Sequence, residues 1–483
     1  MALNSFPFLL FFTSVFAVYH LLRRYPKGQN ALLLVASYLF YGLIDARMLP
    51  LLMMMTVMFH ILGLLIGARR DKGDQRGARW LSVTAVALGL LPLLYFKYFG
   101  FFRQEVATLL GIGEGPATDL LLPIGISFFT FRLISYAIEI KRDTINPLVS
   151  VVDFAVYVAF FPTLMAGPID RPQHFLPQLA RRRDVGYEEL VGGLKRMAWG
   201  CFLKVCVADQ LMLYVDAAYN DYASRPGTTL LTAALLYPMQ LYADFAGYSH
   251  MAIGLSRMLG FRVAENFNRP FFAQNVAEYW RRWHMSLTSW LTDYVFLPLN
   301  IHLRDMERWG TVVACTLNFV LVGFWHGANW TFGAFGLYHA LLFLPLILRG
   351  RMNKRRKAEW RHGVIAPATA LRMTGVYLLV ALGLVMFRSN SMTDCVLYLG
   401  QMVSSAGFAD MPDYIDASLA AGLIFMTAMI ANDFLEEKNG GKSGSGLLRA
   451  AKPWAVVATV SLLLALVLLF GSSATQVFIY QRF

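Results

Sequence analysis

The chain has 483 residues, of which 57% are hydrophobic and 15% charged, with a mean hydropathy of +0.50. Soluble domains carry about a quarter charged residues, so a soluble globular protein is excluded and an all-α, polytopic membrane protein is indicated. The net charge of +13, from 43 basic and 30 acidic residues, does not signal a nucleic-acid partner. The basic residues cluster in short loops between apolar runs, where they orient spans among membrane lipids.

Spans need roughly 20 apolar residues. The candidates in chain order are 6–22, 30–44, 48–68, 80–99, 120–140, 151–167, 190–217, 228–258, 311–330, 332–349, 367–387, 417–435 and 453–471. They predict about eleven to thirteen crossings or half-crossings in a single integral-membrane domain over 1–483, with a core at about 120–345 and C-terminal helices at 367–471. The first apolar run has no basic region before it and no small-x-small cleavage site, so it reads as a retained span with its N-terminus outside. The basic loops at Arg23–Lys27, Arg69–Arg79 and Arg349–Arg361 read as cytoplasmic. The acidic segment Ser389–Asp416 reads as outer, with Cys395 on that face, and the linker Glu436–Lys452 as cytoplasmic again. The segment 168–200 mixes prolines with charge and reads as a re-entrant loop and surface helix. No internal repeat is evident. Cys201, Cys206, Cys315 and Cys395 form no CxxC pair and no zinc spacing. They read as reduced structural residues, with no metal site and no bound cofactor expected.

The chemistry concentrates between Asn266 and His339. Glu278–Leu299 has helical periodicity, with Trp280, Trp283, His284, Leu287, Trp290, Leu291 and Tyr294 on one face and Arg281, Arg282, Ser286 and Asp293 on the other. Further on, Val320–Trp330 places His326 in an apolar segment with no charge beside it. An ionisable group at membrane depth is costly and is a functional candidate by default. A neutral imidazole there can act as a general base toward a hydroxyl, or can hold helices together through a neighbouring carbonyl. Asn329, three residues on, is placed to share its network, and Trp325 beside it is a candidate donor contact. Asp244, in an otherwise apolar span, can orient an imidazole, pair with an arginine or shuttle protons. Arg281 and Arg282, with Arg269, are candidates for the phosphates of a donor, or form a positive-inside patch. Gly441-Lys442-Ser443 lacks the rest of a phosphate loop, and there is no GxSxG, HExxH or EF-hand motif.

Together these segments resemble the membrane-bound O-acyltransferase family, in its bacterial polysaccharide branch. The resemblance rests on Ala36–Gly42, Leu122–Phe131, Ala166–Ile169, the Asp244–Gly254 segment, Glu265–Pro270, Trp280–Asp293, Gly323–Gly327 and Phe478–Phe483. It implies a ring of helices around a thin central region with a funnel to each side. It implies that His326 is the catalytic histidine and His284 a second, supporting one. It further implies a multi-pass protein of the bacterial inner membrane that carries an acyl group, in the first instance acetyl from acetyl-CoA, from a cytoplasmic thioester. The acceptor is expected to be an exopolysaccharide such as alginate or cellulose. Because the outer segments are too short for a carbohydrate-binding domain and there is no serine-hydrolase elbow, the group is expected to be handed to a separate extracytoplasmic acyltransferase within a polysaccharide biosynthesis complex. Its docking is expected near Asp410–Asp416 or at the C-terminal Phe478–Phe483, an aromatic tail that reads equally as an interfacial anchor. Gly167–Arg171 also resembles the teichoic-acid D-alanylation branch, whose donor is an acyl carrier protein. From the residues alone, a proton-coupled transporter relaying through Asp244 and the histidines is the rival of a different class.

Overall fold

The computed structural model describes residues 1–111, 121–354, 358–361, 363–404, 417–440, 453–471 and 478. Helices dominate, and the only described strands are β1 (Trp360–Arg361) and β2 (Val364–Ile365), an antiparallel pair. The chain divides into two compact units, Met1–Met197 with Met251–Ala264, and Ala198–His250 with Glu265–Phe483.

The first unit begins with α1 (Phe6–Leu21), α2 (Pro26–Asp45), α3 (Leu49–Asp71) and α4 (Gln75–Leu110). Ser5 caps α1 by accepting from the Phe8 N–H, Asp74 caps α4 by accepting from the Gly77 N–H, and prolines open α1, α2 and α3. After α5 (Ile126–Lys141) the chain shortens its stride into α6 (Val151–Ala159), α7 (Phe161–Leu164) and α8 (Pro172–Ala180). The expected span over 151–167 is therefore two short helices broken at Phe160. Such breaks strand carbonyl oxygens inside the protein. Arg132 on α5, 1% exposed, satisfies them: it donates to the carbonyls of Tyr157, Val158, Thr163 and Pro168, and at 2.6 Å to the Thr163 hydroxyl. The return segment 251–264 belongs to this unit, held by the Tyr19 hydroxyl donating to the Leu259 carbonyl at 2.7 Å and by Asp170 accepting from the Ala264 N–H.

Two helices cross the division between the units. They are α9 (Tyr187–Phe202), which continues through a π-helical turn at Leu203–Ala208 into α10 (Asp209–Asn220), and α11 (Gly227–Met258). The second unit continues with α12 (Val276–Trp280), α13 (Met285–Leu291), a π-helical turn at Thr292–Phe296, α14 (Leu297–His302), α15 (Glu307–His326) and α16 (Trp330–Leu348). It ends with α17 (Pro367–Arg388), α18 (Met392–Ser404), α19 (Ala417–Lys438) and α20 (Pro453–Phe470).

Seven described helical stretches are long and apolar enough to cross a membrane: Leu49–Asp71, Gln75–Leu110, Tyr187–Asn220, Arg304–His326, Trp330–Leu348, Pro367–Arg388 and Ala417–Lys438. The protein is an all-α, multi-pass membrane protein. The other expected crossings are shorter or more polar; α11, for example, buries Gln240, Asp244, Ser249, His250 and Ser256. Cys395 lies buried on α18 rather than in an open loop.

Candidate functional site

The helix expected over Glu278–Leu299 is interrupted. Asn275 caps α12 by accepting from the Glu278 N–H, and α12 ends at Trp280. The chain then turns through Arg281–His284, clamped from the side by residues 266–268. The Asn268 N–H donates to the Arg282 carbonyl at 2.9 Å, and the Met285 N–H to the Asn266 carbonyl at 2.8 Å. The Asn266 side chain is itself fully buried, donating to the Ser249 hydroxyl and accepting from the Ser286 hydroxyl. Under this clamp His284 adopts φ 41°, ψ 52° at the start of α13. That left-handed geometry costs a residue with a Cβ roughly 1–2 kcal/mol, so neighbouring packing must hold it. Trp280, Trp283 and His284, which period-3.6 patterning places together on one face, are all buried despite the interruption.

His284 is 1% exposed, with its ring against Phe245 at 4.6 Å and Trp325 at 5.5 Å. Burial alone pushes its imidazole down to about 3, so the ring is neutral at ordinary pH. His326 is the last residue of α15, at the end of a span rather than in its middle; Gly327 in extended backbone stops the helix. Its ring meets Trp325 at 4.8 Å and Phe387 at 4.8 Å. The indole of Trp325 thus packs on both histidines. Chain and space coincide here because α15 and α16 approach without side chains between them: a Cβ at Gly323 would collide with the Phe332 carbonyl, and one at Gly336 with that of Phe319.

His326 lines a small enclosed cavity with Leu241, Trp280, Trp283, Phe387 and a further histidine, His339. A wider cleft of about 220 Å³ lies along the same two helices, α11 and α17, lined by Met239, Tyr242, Met373, Tyr377, Met429 and Asp433. The supporting candidates have other partners. Asp244 pairs with Lys204 at 2.7 Å, and Lys204 with Asp209 at 2.7 Å, so the carboxylate's cation is a lysine and not an arginine. Asn329 caps α16, accepting from the Thr331 N–H and donating to the Asn390 carbonyl. Arg281 donates to the Met352 carbonyl at 3.2 Å. Arg282 pairs with Glu278 at 2.7 Å and with Glu437, which Arg269 also grips at 2.7 Å. Among the described residues no cluster of three or more His, Cys, Asp or Glu is placed to hold a metal.

Glu436 and Glu437 were not legible as partners of these arginines, being more than 150 residues away in a segment that reads as a linker. His339 gave no motif signal, since it is one polar residue in the apolar run of α16. Of the C-terminal segment expected as a docking surface, Phe478 is buried, 4.8 Å from Tyr248 and 6.1 Å from Phe245. Residues 479–483 and the acidic stretch 410–416 lie outside the described residues.

A family model for membrane-bound O-acyltransferases matches residues 39–374. The chain is 38% identical to a probable alginate O-acetylase of Azotobacter vinelandii, over 81% of this chain and 76% of that protein. It is 30% identical to a peptidoglycan O-acetyltransferase of Helicobacter pylori, over 68% of this chain and 66% of that protein. To a teichoic acid D-alanyltransferase of Bacillus subtilis it is 29% identical, over 56% of this chain and 69% of that protein.

Proposed function

We propose, because the chain belongs to the membrane-bound O-acyltransferase family, that it carries an acetyl group from a cytoplasmic thioester, acetyl-CoA in the first instance, for O-acetylation of an exopolysaccharide. The family sets aside the transporter reading. The observation that carries the mechanism is His326 at the mouth of a helix end, enclosed by Trp280, Trp283, Phe335 and Phe387. Walls of this kind exclude water, which protects a thioester from hydrolysis.

In this reading the donor's slender arm approaches along the α11–α17 cleft and its carbonyl reaches the cavity. His326 removes the proton from the acceptor hydroxyl as its oxygen adds to the carbonyl carbon. The tetrahedral adduct collapses, the C–S bond breaks, and the proton passes from His326 to the departing sulfur. Neutral His284 and Trp325 keep the imidazole in place. Arg281 is the remaining donor-phosphate candidate, because Arg282 is held by two carboxylates. The acceptor hydroxyl is that of a separate extracytoplasmic acyltransferase of a polysaccharide-synthesising complex in the bacterial inner membrane, and the ester formed on it carries the acetyl group onward. Relatives named for alginate and peptidoglycan O-acetylation support the acetyl group and a glycan acceptor. The D-alanyl reading rests on the shorter match.

Purified protein in lipid nanodiscs, supplied with acetyl-CoA and a hydroxyl acceptor, is expected to release free thiol without an acyl carrier protein. Turnover only with a charged carrier protein would replace this reading with the D-alanyl one.

A further inference from the structure

His339 sits on α16, 1% exposed, with its ring 4.6 Å from Phe335 and edge-on to Trp280 at 5.1 Å. The Trp280 indole Nε1 lies 3.2 Å from His339 Nδ1. An indole N–H can only donate, so Nδ1 accepts, and the proton of the neutral imidazole is on Nε2. This Nε2 has no hydrogen-bond partner among the described residues. A buried donor left without an acceptor is costly.

The neighbouring helix comes close to Nε2 at Gly383 on α17, where a Cβ would stand 2.9 Å from the Tyr338 ring and 3.2 Å from Nε2. Val380 and Leu384, on either side of Gly383, line the same enclosed cavity as His339 and His326. Its free volume is about 10 Å³, roughly room for one oxygen-sized group. Two imidazoles therefore line one small cavity, one of them with its proton fixed on Nε2 by tryptophan.

We propose that His339 is a second catalytic imidazole, whose Nε2–H receives the carbonyl oxygen of the acyl donor and stabilises the oxyanion of the adduct; this rests on the acyl-transfer reading above. As the hydroxyl oxygen bonds to the carbonyl carbon, the hydroxyl proton goes to His326 and the carbonyl π electrons move onto the oxygen. That oxygen is held by His339 Nε2–H, which keeps its proton throughout. Collapse returns the electron pair to the carbonyl and expels the sulfur. Trp280 is then a positioning residue, because it fixes the tautomer.

The test compares His339→Leu, His339→Gln and His326→Ala in nanodiscs, with kcat, KM for the thioester and thermal midpoint measured for each. Loss of one oxyanion donor is expected to lower kcat about 10²–10³-fold, with KM changed by less than about 3-fold. The glutamine amide, a donor of similar reach, is expected to recover about tenfold of that loss. Equal kcat for the leucine and glutamine variants, whether both normal or both inactive with the wild-type midpoint, would overturn the role of His339. So would a change confined to KM or to the midpoint, which is what a packing role or a structural water predicts. If His326→Ala also turns over normally, the acyl-transfer mechanism itself has failed; if only His339→Leu does, the failure is confined to this inference.

Discussion

Arg282 holds Glu437 with both terminal nitrogens, Nη1 to Oε2 at 2.9 Å and Nη2 to Oε1 at 3.0 Å. This forked pair ties the turn that presents His284 to the end of α19. Arg269 reaches the same carboxylate, and Glu278 takes a further bond from Arg282. A phosphate-binding role for Arg282 would require Glu437 to be displaced. The expected function of the pair is to brace the turn. A double-mutant cycle with Arg282→Ala and Glu437→Ala is expected to give a coupling of about 1–3 kcal/mol in stability. Additive single effects would show that the fork braces nothing.

His326→Ala is expected to lower acyl transfer by about 10²–10⁴-fold, the usual contribution of a general base, with insertion and purification unaffected. His284→Asn is the better partner experiment than alanine, because asparagine tolerates the left-handed backbone at this position. It is expected to retain measurable turnover. A His284→Asn variant as inactive as His326→Ala would promote His284 from support to chemistry.

Stability should depend on acidity through His284. Its folded imidazole is pushed down by burial to about 3, while an unfolded histidine titrates near 6.5. Between those values the unfolded chain binds a proton that the folded chain refuses. Stability is therefore level above about pH 6.5 and falls below it, by up to about 1.4 kcal/mol per pH unit from this group. The thermal midpoint of wild type should drop from pH 6.5 to pH 5, and His284→Asn should remove part of that slope. An unchanged slope in the variant assigns the acid sensitivity elsewhere.

Arg132 supplies the hydrogen bonds that let the chain break between α6 and α8. Arg132→Met keeps the bulk and removes the donors, leaving the carbonyls of Tyr157, Val158, Thr163 and Pro168 short of partners. A loss of about 2–5 kcal/mol is expected, read as a lower midpoint and faster proteolysis in the first unit. Wild-type resistance would mean that neighbouring groups take over the carbonyls.

Cys395 is a poor topology probe because its thiol is buried. Asn353, exposed in the loop after α16, is a better one. By the positive-inside rule this basic loop is expected to be cytoplasmic, so Asn353→Cys should react with an impermeant maleimide only after permeabilisation. Labelling in sealed cells would invert the orientation.

Much of this was legible in the sequence. Apolar runs and basic loops announced a multi-pass helical protein, and the segments around His284 and His326 drew attention to two histidines that the fold buries. Periodicity correctly buried Trp280, Trp283 and His284 but missed the turn at 281–284. That turn is imposed by backbone bonds from Asn266 and Asn268, and no helical pattern encodes a clamp from outside the helix. The pairs that Arg269 and Arg282 make with Glu437 were illegible for the same reason, since they form across more than 150 residues of chain. His339 stayed hidden because only three-dimensional packing sets its Nδ1 beside Trp280.

The backbone contact at Gly323 and Gly336 also has a mechanical meaning. With no side chain to cushion them, α15 and α16 have no slack to slide, so His326 and His339 ride on one stiff hairpin and keep their spacing while substrate comes and goes. The site's other wall is α17, which contributes Val380, Leu384 and Phe387. Distance measurements between spin labels are therefore expected to stay constant across α15 and α16 when donor binds, with any adjustment taken up between α16 and α17.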